Sequence, residues 1–292
     1  MNTALSPTRQ FAADYARDRI ALAAFQVLCV LFVATFAAPW LAPQDPYDLA
    51  QLDILDGKLA PGTQGATGIT YWLGTDDQGR DMASAILYGL RTSLGTGVVS
   101  TVFALGLGLI IGLIAARAGG WTDALIMRIV DLQLSFPAIL VALILLALTG
   151  QGVDKIIIAL VVVQWAYYAR TVRGAALVEL RREYVDAAVC AGYSGARILF
   201  RHVLPNVLPP LTVVATVQVA HAIALEATLS FLGLGMPITA PSLGLLIANG
   251  YAYLLAGHYW ISFFPGIALL VTIVAINLVG DRLRDVLNPR LK

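Results

Sequence analysis

Residues 94–116 read LGTGVVSTVFALGLGLIIGLIAA. No charged residue interrupts them, and a membrane-spanning helix needs about 20 mostly apolar residues. Five other runs have the same character: Ile20–Leu41, Leu132–Leu148, Ile156–Val172, Leu211–Leu232 and Trp260–Val279. The first and last of these are free of charge. The Ile156 run is clean until Arg170, and the Leu211 run holds only Glu226. The Leu132 run is short and follows Arg128 and Asp131. One such run can be a buried helix of a soluble core. Six in one chain point to an all-α integral membrane protein with six transmembrane helices.

Composition agrees. Of 292 residues, 59% are hydrophobic and 13% charged, and the mean hydropathy is +0.78. A soluble domain carries about 25% charged residues. Nineteen Lys and Arg face eighteen Asp and Glu, so no basic excess points at nucleic acid. Cys29 and Cys190 do not read as a disulfide framework.

Lys and Arg accumulate in short cytoplasmic segments. With the N-terminus inside, the inner segments hold 15 of the 19 basic residues; the outer ones hold Lys58, Arg80, Arg91 and Lys155. The expectation is a multi-pass membrane protein with both termini cytoplasmic. Residues 1–19 and 282–292 form the tails, 42–93 an outer segment, and 94–281 a core of five spans. The first run exceeds the apolar length of a signal peptide and is preceded by Asp14 and Asp18, so it reads as an uncleaved anchor. Trp40, Trp121, Trp165, Tyr167, Tyr168, Tyr259 and Trp260 lie near run ends, where interfacial anchors sit.

The second run carries Thr96, Ser100, Ala104, Gly108, Gly112 and Ala116 at spacing four, a face on which another helix can approach closely. Ahead of it, Thr75 and Gln78 fit a capping box. That stretch reads equally as a helix start or a docking element. Pro137 is expected to kink the third span. Arg128 and Asp131 have the spacing of an intrahelical pair. Residues 233–259 read as a turn followed by a short interfacial helix, Leu243–Leu255.

Chemistry is thin. No G-x-x-x-x-G-K-[ST] phosphate loop occurs, nor H-E-x-x-H, C-x-x-C or G-x-S-x-G. His202, His221 and His258 have no ligand spacing and read as packed or interfacial. Glu226 is the ionisable group best placed in a span. It reads either as a pathway residue or as a structural hydrogen-bond partner of the turn at Gly233–Gly235.

The inner segment 173–210 is the most informative. Residues 179–210 read ELRREYVDAAVCAGYSGARILFRHVLPNVLPP. Glu179–Ala191 has a helical pattern ending at Gly192. Ser194 is placed to cap a second helix, Gly195–Leu204, and Pro205, Pro209 and Pro210 lead into the fifth span. The middle face presents Asp186, Ala187, Ala188 and Gly192, ringed by arginines. The segment alone fits either a surface resting on anionic lipid or a docking helix for a cytoplasmic partner.

The stretch resembles the cytoplasmic signature loop of ABC importer permeases, E-A-A-x3-G-x9-I-x-L-P, at Ala187, Ala188, Gly192, Leu204 and Pro205. Asp186 stands in place of Glu, and His202 in place of Ile. Three further stretches are similar to the dipeptide/oligopeptide/nickel importer permeases, specifically their C-type subunit. They are Leu73–Asp81 leading to Leu87–Leu94, Glu226–Gly235, and Asn277–Leu291.

The resemblance implies a type I ABC importer permease fold and a role in moving peptides or a related small cargo. It implies as partners a homologous B-type permease, two ATP-binding subunits that bind the ATP and Mg, and an extracytoplasmic substrate-binding protein. No cofactor is expected in this chain. A coupling helix carrying Glu183, Tyr184, Asp186, Ala187, Ala188, Gly192, Ser194 and Arg197 is expected to seat in a groove of an ATPase subunit. Competing readings are a secondary transporter or channel working through Glu226, and a scaffold whose loop merely recruits a partner.

Overall fold

The computed structural model describes residues 7–66, 68–237 and 239–287. The charge-bearing Arg290 and Lys292, and the end of the Asn277–Leu291 stretch, lie outside the described residues. Helix α1 (Pro7–Ala16) precedes α2 (Arg19–Leu41). Asp18 caps α2, accepting from the Ile20 and Ala21 amides at 2.9 and 3.2 Å. The outer segment holds a two-stranded hairpin, β1 (Thr63–Gln64) and β2 (Thr70–Tyr71), antiparallel with Thr63 opposite Tyr71. Then come α3 (Met82–Ala118), α4 (Gly120–Ser135), α5 (Ala138–Thr149) and α6 (Val153–Glu179). The inner segment carries α7 (Glu183–Cys190) and α8 (Gly195–Ile198), and a wide π turn, Leu199–Val203, passes into α9 (Leu204–Phe231). After α10 (Leu243–Tyr251), α11 (Trp260–Leu287) closes the described chain.

Among the described residues, five helical stretches are long and apolar enough to cross a membrane: α2, α3, α6, α8–α9 and α11. The sixth candidate is the pair α4–α5, bent by 88°. The expected run Leu132–Leu148, kinked at Pro137, is therefore corrected to two helices. Phe136 is extended ahead of Pro137, as the residue before proline prefers, and the helix breaks there instead of kinking.

The small-residue stripe of α3 is buried throughout, and α3 packs more extensively on α6 than any other helix pair. A Cβ at Gly108 would lie 2.7 Å from the Trp165 carbonyl oxygen; one at Gly112 would lie 2.8 Å from the Val172 Cβ. Glycine is what lets these two backbones touch.

Several local expectations are revised. The cap of α3 is Asp81, whose carboxylate accepts the Ser84 amide at 2.8 Å and hydroxyl at 2.6 Å. Thr75 instead binds inward: its hydroxyl donates to the Asp56 carbonyl at 2.5 Å and accepts the Leu59 amide at 2.8 Å. Asp131 pairs across helices with Arg170, not with Arg128, and Arg173 pairs with Asp123 at 3.0 Å. Each carboxylate on α4 thus meets a guanidinium on α6. Tyr168 and Trp260 are buried, and the Trp260 indole donates to the Thr75 carbonyl at 3.1 Å. Helix α10 is not an interfacial helix. Leu243, Leu245 and Leu246 are buried among α3, α9 and α11, and the α-helical turns stop at Tyr251.

Candidate functional site

Helix α7 is short, and its placement depends on what it buries. Val185 and Ala188, three residues apart, turn inward. They join Leu113 and Ala116 of α3, Ala176 of α6, Ile198 of α8, and Val203 and Val207 beside them. The remaining positions face out: Glu183, Asp186, Ala187 and Gly192 are all exposed. Ala188 was expected on the docking face and lies instead on the anchoring face. The expected helix Glu179–Ala191 is also shorter, because Glu179 ends α6 and a turn at 180–182 separates the two.

Both ends of α7 are fixed by local chemistry. Glu183 and Asp186 occupy the first turn, where the helix dipole favours carboxylates. At the other end Gly192 adopts φ +76°. Its amide donates to the Val189 carbonyl at 2.9 Å and the Tyr193 amide to the Ala188 carbonyl at 3.1 Å. This is a Schellman closure, and glycine is the residue that reaches it without strain.

The other expected residues surround the helix. The Ser194 hydroxyl accepts the Arg197 amide at 3.4 Å and starts α8. The Arg197 guanidinium lies 4.4 Å from the centre of the Tyr193 ring, a cation–π contact. Tyr184 donates to Glu179 at 2.6 Å and accepts from Asn206 at 3.2 Å. Burial and the neighbouring Glu179 carboxylate raise its hydroxyl above the ordinary tyrosine range. Tyr184 therefore ties α7 to the end of α6 and the start of α9, which makes it a positioning residue. The second helix expected at Gly195–Leu204 is not a separate element. Pro205 has no amide to give, the Leu204 amide reaches back to the Leu199 carbonyl, and the π turn carries α8 into α9.

Glu226 lies on α9 near the outer side and is fully buried. Its carboxylate accepts the Ser93 hydroxyl at 2.7 Å and the Ser230 hydroxyl at 2.8 Å, with Ser242 as a third partner. The structure favours the structural reading over the pathway one: this group joins α3, α9 and the cap of α10, with no surface of its own exposed. The turn at Gly233–Gly235 packs on Ser230 and does not bind the carboxylate itself. What sequence reasoning missed is a different set of polar side chains, Gln164, Gln218 and His221, which stand in mid-span. For Gln218 and His221 the signal was their recurrence with positions 214, 225 and 228 on one face of α9; Gln164, on α6, had no such signal.

Comparison with known proteins gives two family matches, three relatives and one solved structure. The pattern of the binding-protein-dependent transport system inner membrane component matches residues 108–292. That of the N-terminal transmembrane domain of oligopeptide transport permease C matches residues 6–61. The chain is 36% identical to the di/tripeptide transport system permease protein DppC of Pseudomonas aeruginosa, across 98% of this chain and 93% of that one. It is 35% identical to the dipeptide transport system permease protein DppC of Bacillus subtilis, across 99% and 87%. It is 34% identical to the glutathione transport system permease protein GsiD of Pectobacterium atrosepticum, across 98% and 92%. A chain of the MetNI methionine ABC transporter, in an inward-facing conformation, superposes with a TM-score of 0.58. That match covers 70% of this chain and 97% of the other at 23% identity, a likeness of fold.

Proposed function

We infer the function from one premise: this chain belongs to the family of binding-protein-dependent transport system inner membrane components. It is a membrane-embedded permease subunit of an ABC importer. Its cargo is a short peptide, in keeping with the dipeptide, tripeptide and glutathione systems of its relatives. A second, homologous B-type permease completes the pathway, and an extracytoplasmic binding protein delivers cargo to the outer face. The energy comes from two ATP-binding subunits, which hold ATP and Mg; the sequence of this chain has no phosphate-binding loop. Both termini face the cytoplasm of a bacterial cell, in keeping with the 15 basic residues on that side.

The observation that carries this reading is the two-sided construction of α7. Its outer side is free, acidic and built of small residues. Its inner side is seated among α3, α6 and α9. A load applied to the free side reaches three spans at once, because close-packed side chains transmit displacement instead of absorbing it. ATP and loaded binding protein then favour different arrangements of the spans, which is what alternating access requires.

The test is purification of the tagged chain from detergent, with ATPase activity measured on the eluate, beside an Asp186→Ala/Gly192→Trp variant. Wild-type protein is expected to bring a second permease and ATP-hydrolysing subunits, and the variant to lose or uncouple them. A chain that elutes alone and moves solute in liposomes without ATP would overturn the reading.

A further inference from the structure

Pro210, Val214, Gln218, His221, Leu225 and Thr228 recur at three- and four-residue steps along α9, so they share one face. From first to last they cover about 27 Å at 1.5 Å per residue, nearly the depth of a bilayer core. Two cavities lie along this face. The inner one, about 880 Å³, is bounded by α9 and α11, and Asn206, Asp281 and Arg284 are among its lining residues. The second, about 440 Å³, is bounded by α5, α6 and α9 and lined in part by Gln164, Gln218, His221 and Thr228. Gln218 lines both. The two spaces therefore meet at that side chain and follow one another along the helix.

The polar groups sit at one depth. His221 and Gln218 are about 15 and 20 Å from the outer end of α9, and Gln164 about 17 Å from the outer end of α6. The Gln164 amide nitrogen donates to the Gln218 carbonyl at 3.4 Å, while its amide oxygen is buried with no partner among the described residues. His221 is exposed. Imidazole and amides at mid-membrane are costly against lipid and belong where water or a polar solute reaches them. No carboxylate, ammonium or guanidinium lines the second cavity. Its walls offer neutral donors and acceptors in the pairing that peptide bonds themselves carry.

We propose that this face of α9 is the stretch of the translocation route contributed by this chain, and that His221, exposed on it, and Gln218, at its edge, hydrogen-bond the backbone amides of a short peptide in transit, while the buried Gln164 braces α9 at Gln218. The proposal rests on the importer reading above and names the residues that would meet the cargo. Peptides of differing side chains share the amide backbone, so contacts confined to it suit passage better than selection.

The test uses membrane vesicles containing the complete complex, with Cys29→Ser and Cys190→Ser removing the two free thiols. A charged, membrane-impermeant methanethiosulfonate is applied to His221→Cys and Thr228→Cys, and to Phe103→Cys on the exposed apolar face of α3. The first two are expected to react, with loss of dipeptide uptake, and the third to stay unmodified. Gln218→Leu and His221→Leu are each expected to slow dipeptide uptake about tenfold, the worth of one hydrogen-bonding partner. ATP hydrolysis stimulated by the loaded binding protein should persist in both. Failure of positions 221 and 228 to react overturns the proposal, as does wild-type uptake by the double leucine variant. A wild-type complex that moves another solute and no dipeptide refutes the cargo reading and the amide role, while the thiol pattern still decides the route.

Discussion

Substitution of Gly192 separates backbone strain from docking at a single position. The residue sits at φ +76°, and a Cβ built there meets nothing within 4 Å. Gly192→Ala therefore clashes with nothing and suffers only the left-handed conformation, about 1–2 kcal/mol for an L-residue. At about 1.4 kcal/mol per factor of ten, the end of α7 should open roughly 5–30 times more often. Gly192→Asn escapes most of that strain, because asparagine tolerates this conformation. Gly192→Trp has the strain of alanine and adds an indole on the open side, where the ATPase groove is proposed to lie. Hydrogen exchange across residues 183–193 reads the strain, and ATP-driven dipeptide uptake reads the docking. The expected order of uptake is wild type and Asn together, Ala modestly lower, and Trp abolished with the protein still inserted. Equal uptake by the Trp and Ala variants would refute the argument, because bulk on that side would then meet nothing.

Three further outcomes follow from the geometry. Gly108→Leu should part α3 from α6 and lower the stability in detergent by about 1–3 kcal/mol, the usual penalty of overpacking, read as a fall in midpoint temperature. Tyr184→Phe removes the bonds to Glu179 and Asn206 at a site 38% exposed. The loss should stay near 1 kcal/mol and show as faster exchange in α7 and a higher ratio of ATP hydrolysed to peptide moved. In the outer segment, burial raises the Asp76 carboxyl to about 6, against the amide and charge of Arg80, which act to lower it. An acid whose folded value is raised binds its proton more readily when folded, so the segment gains stability as pH falls through that value. Limited proteolysis of the outer segment should show about 1 kcal/mol more protection at pH 5 than at pH 7, and Asp76→Asn should abolish the difference.

How much of this was legible in advance depended on the range of the interaction. Runs such as 94–116 announce their spans, because hydrophobic length is local information. The stripe from Thr96 to Ala116 announced a close helix contact, since it depends on spacing within one helix. Gly192 and Ser194 announced their caps for the same reason. The failures involve partners distant in sequence. Asp131 had Arg128 nearby and met Arg170, 39 residues on, because the break at Pro137 folds α4 against α6. Thr75 had Gln78 at the right spacing and was taken by the loop at Asp56 and Leu59. Glu226 could be read as costly, but Ser93 lies 133 residues away. Ala188 matched a signature without revealing which way it faces; that is settled by the core under α7.

The outer segment does more than connect α2 to α3. Gln44, just past α2, accepts the Asp81 amide at 2.7 Å, and its own amide donates to Ser84 at the start of α3. The Trp260 indole, at the start of α11, holds the Thr75 carbonyl. Three spans are lashed together at one end, and that end is a fulcrum. Helix α3, with 37 residues, is about 56 Å long. A tilt of about 10° about its lashed end would swing the far end by about 10 Å, since displacement grows with distance along a rigid rod. Motion about such a fulcrum is smallest at the lashed end and largest at the far one, where α7 is seated against Leu113 and Ala116.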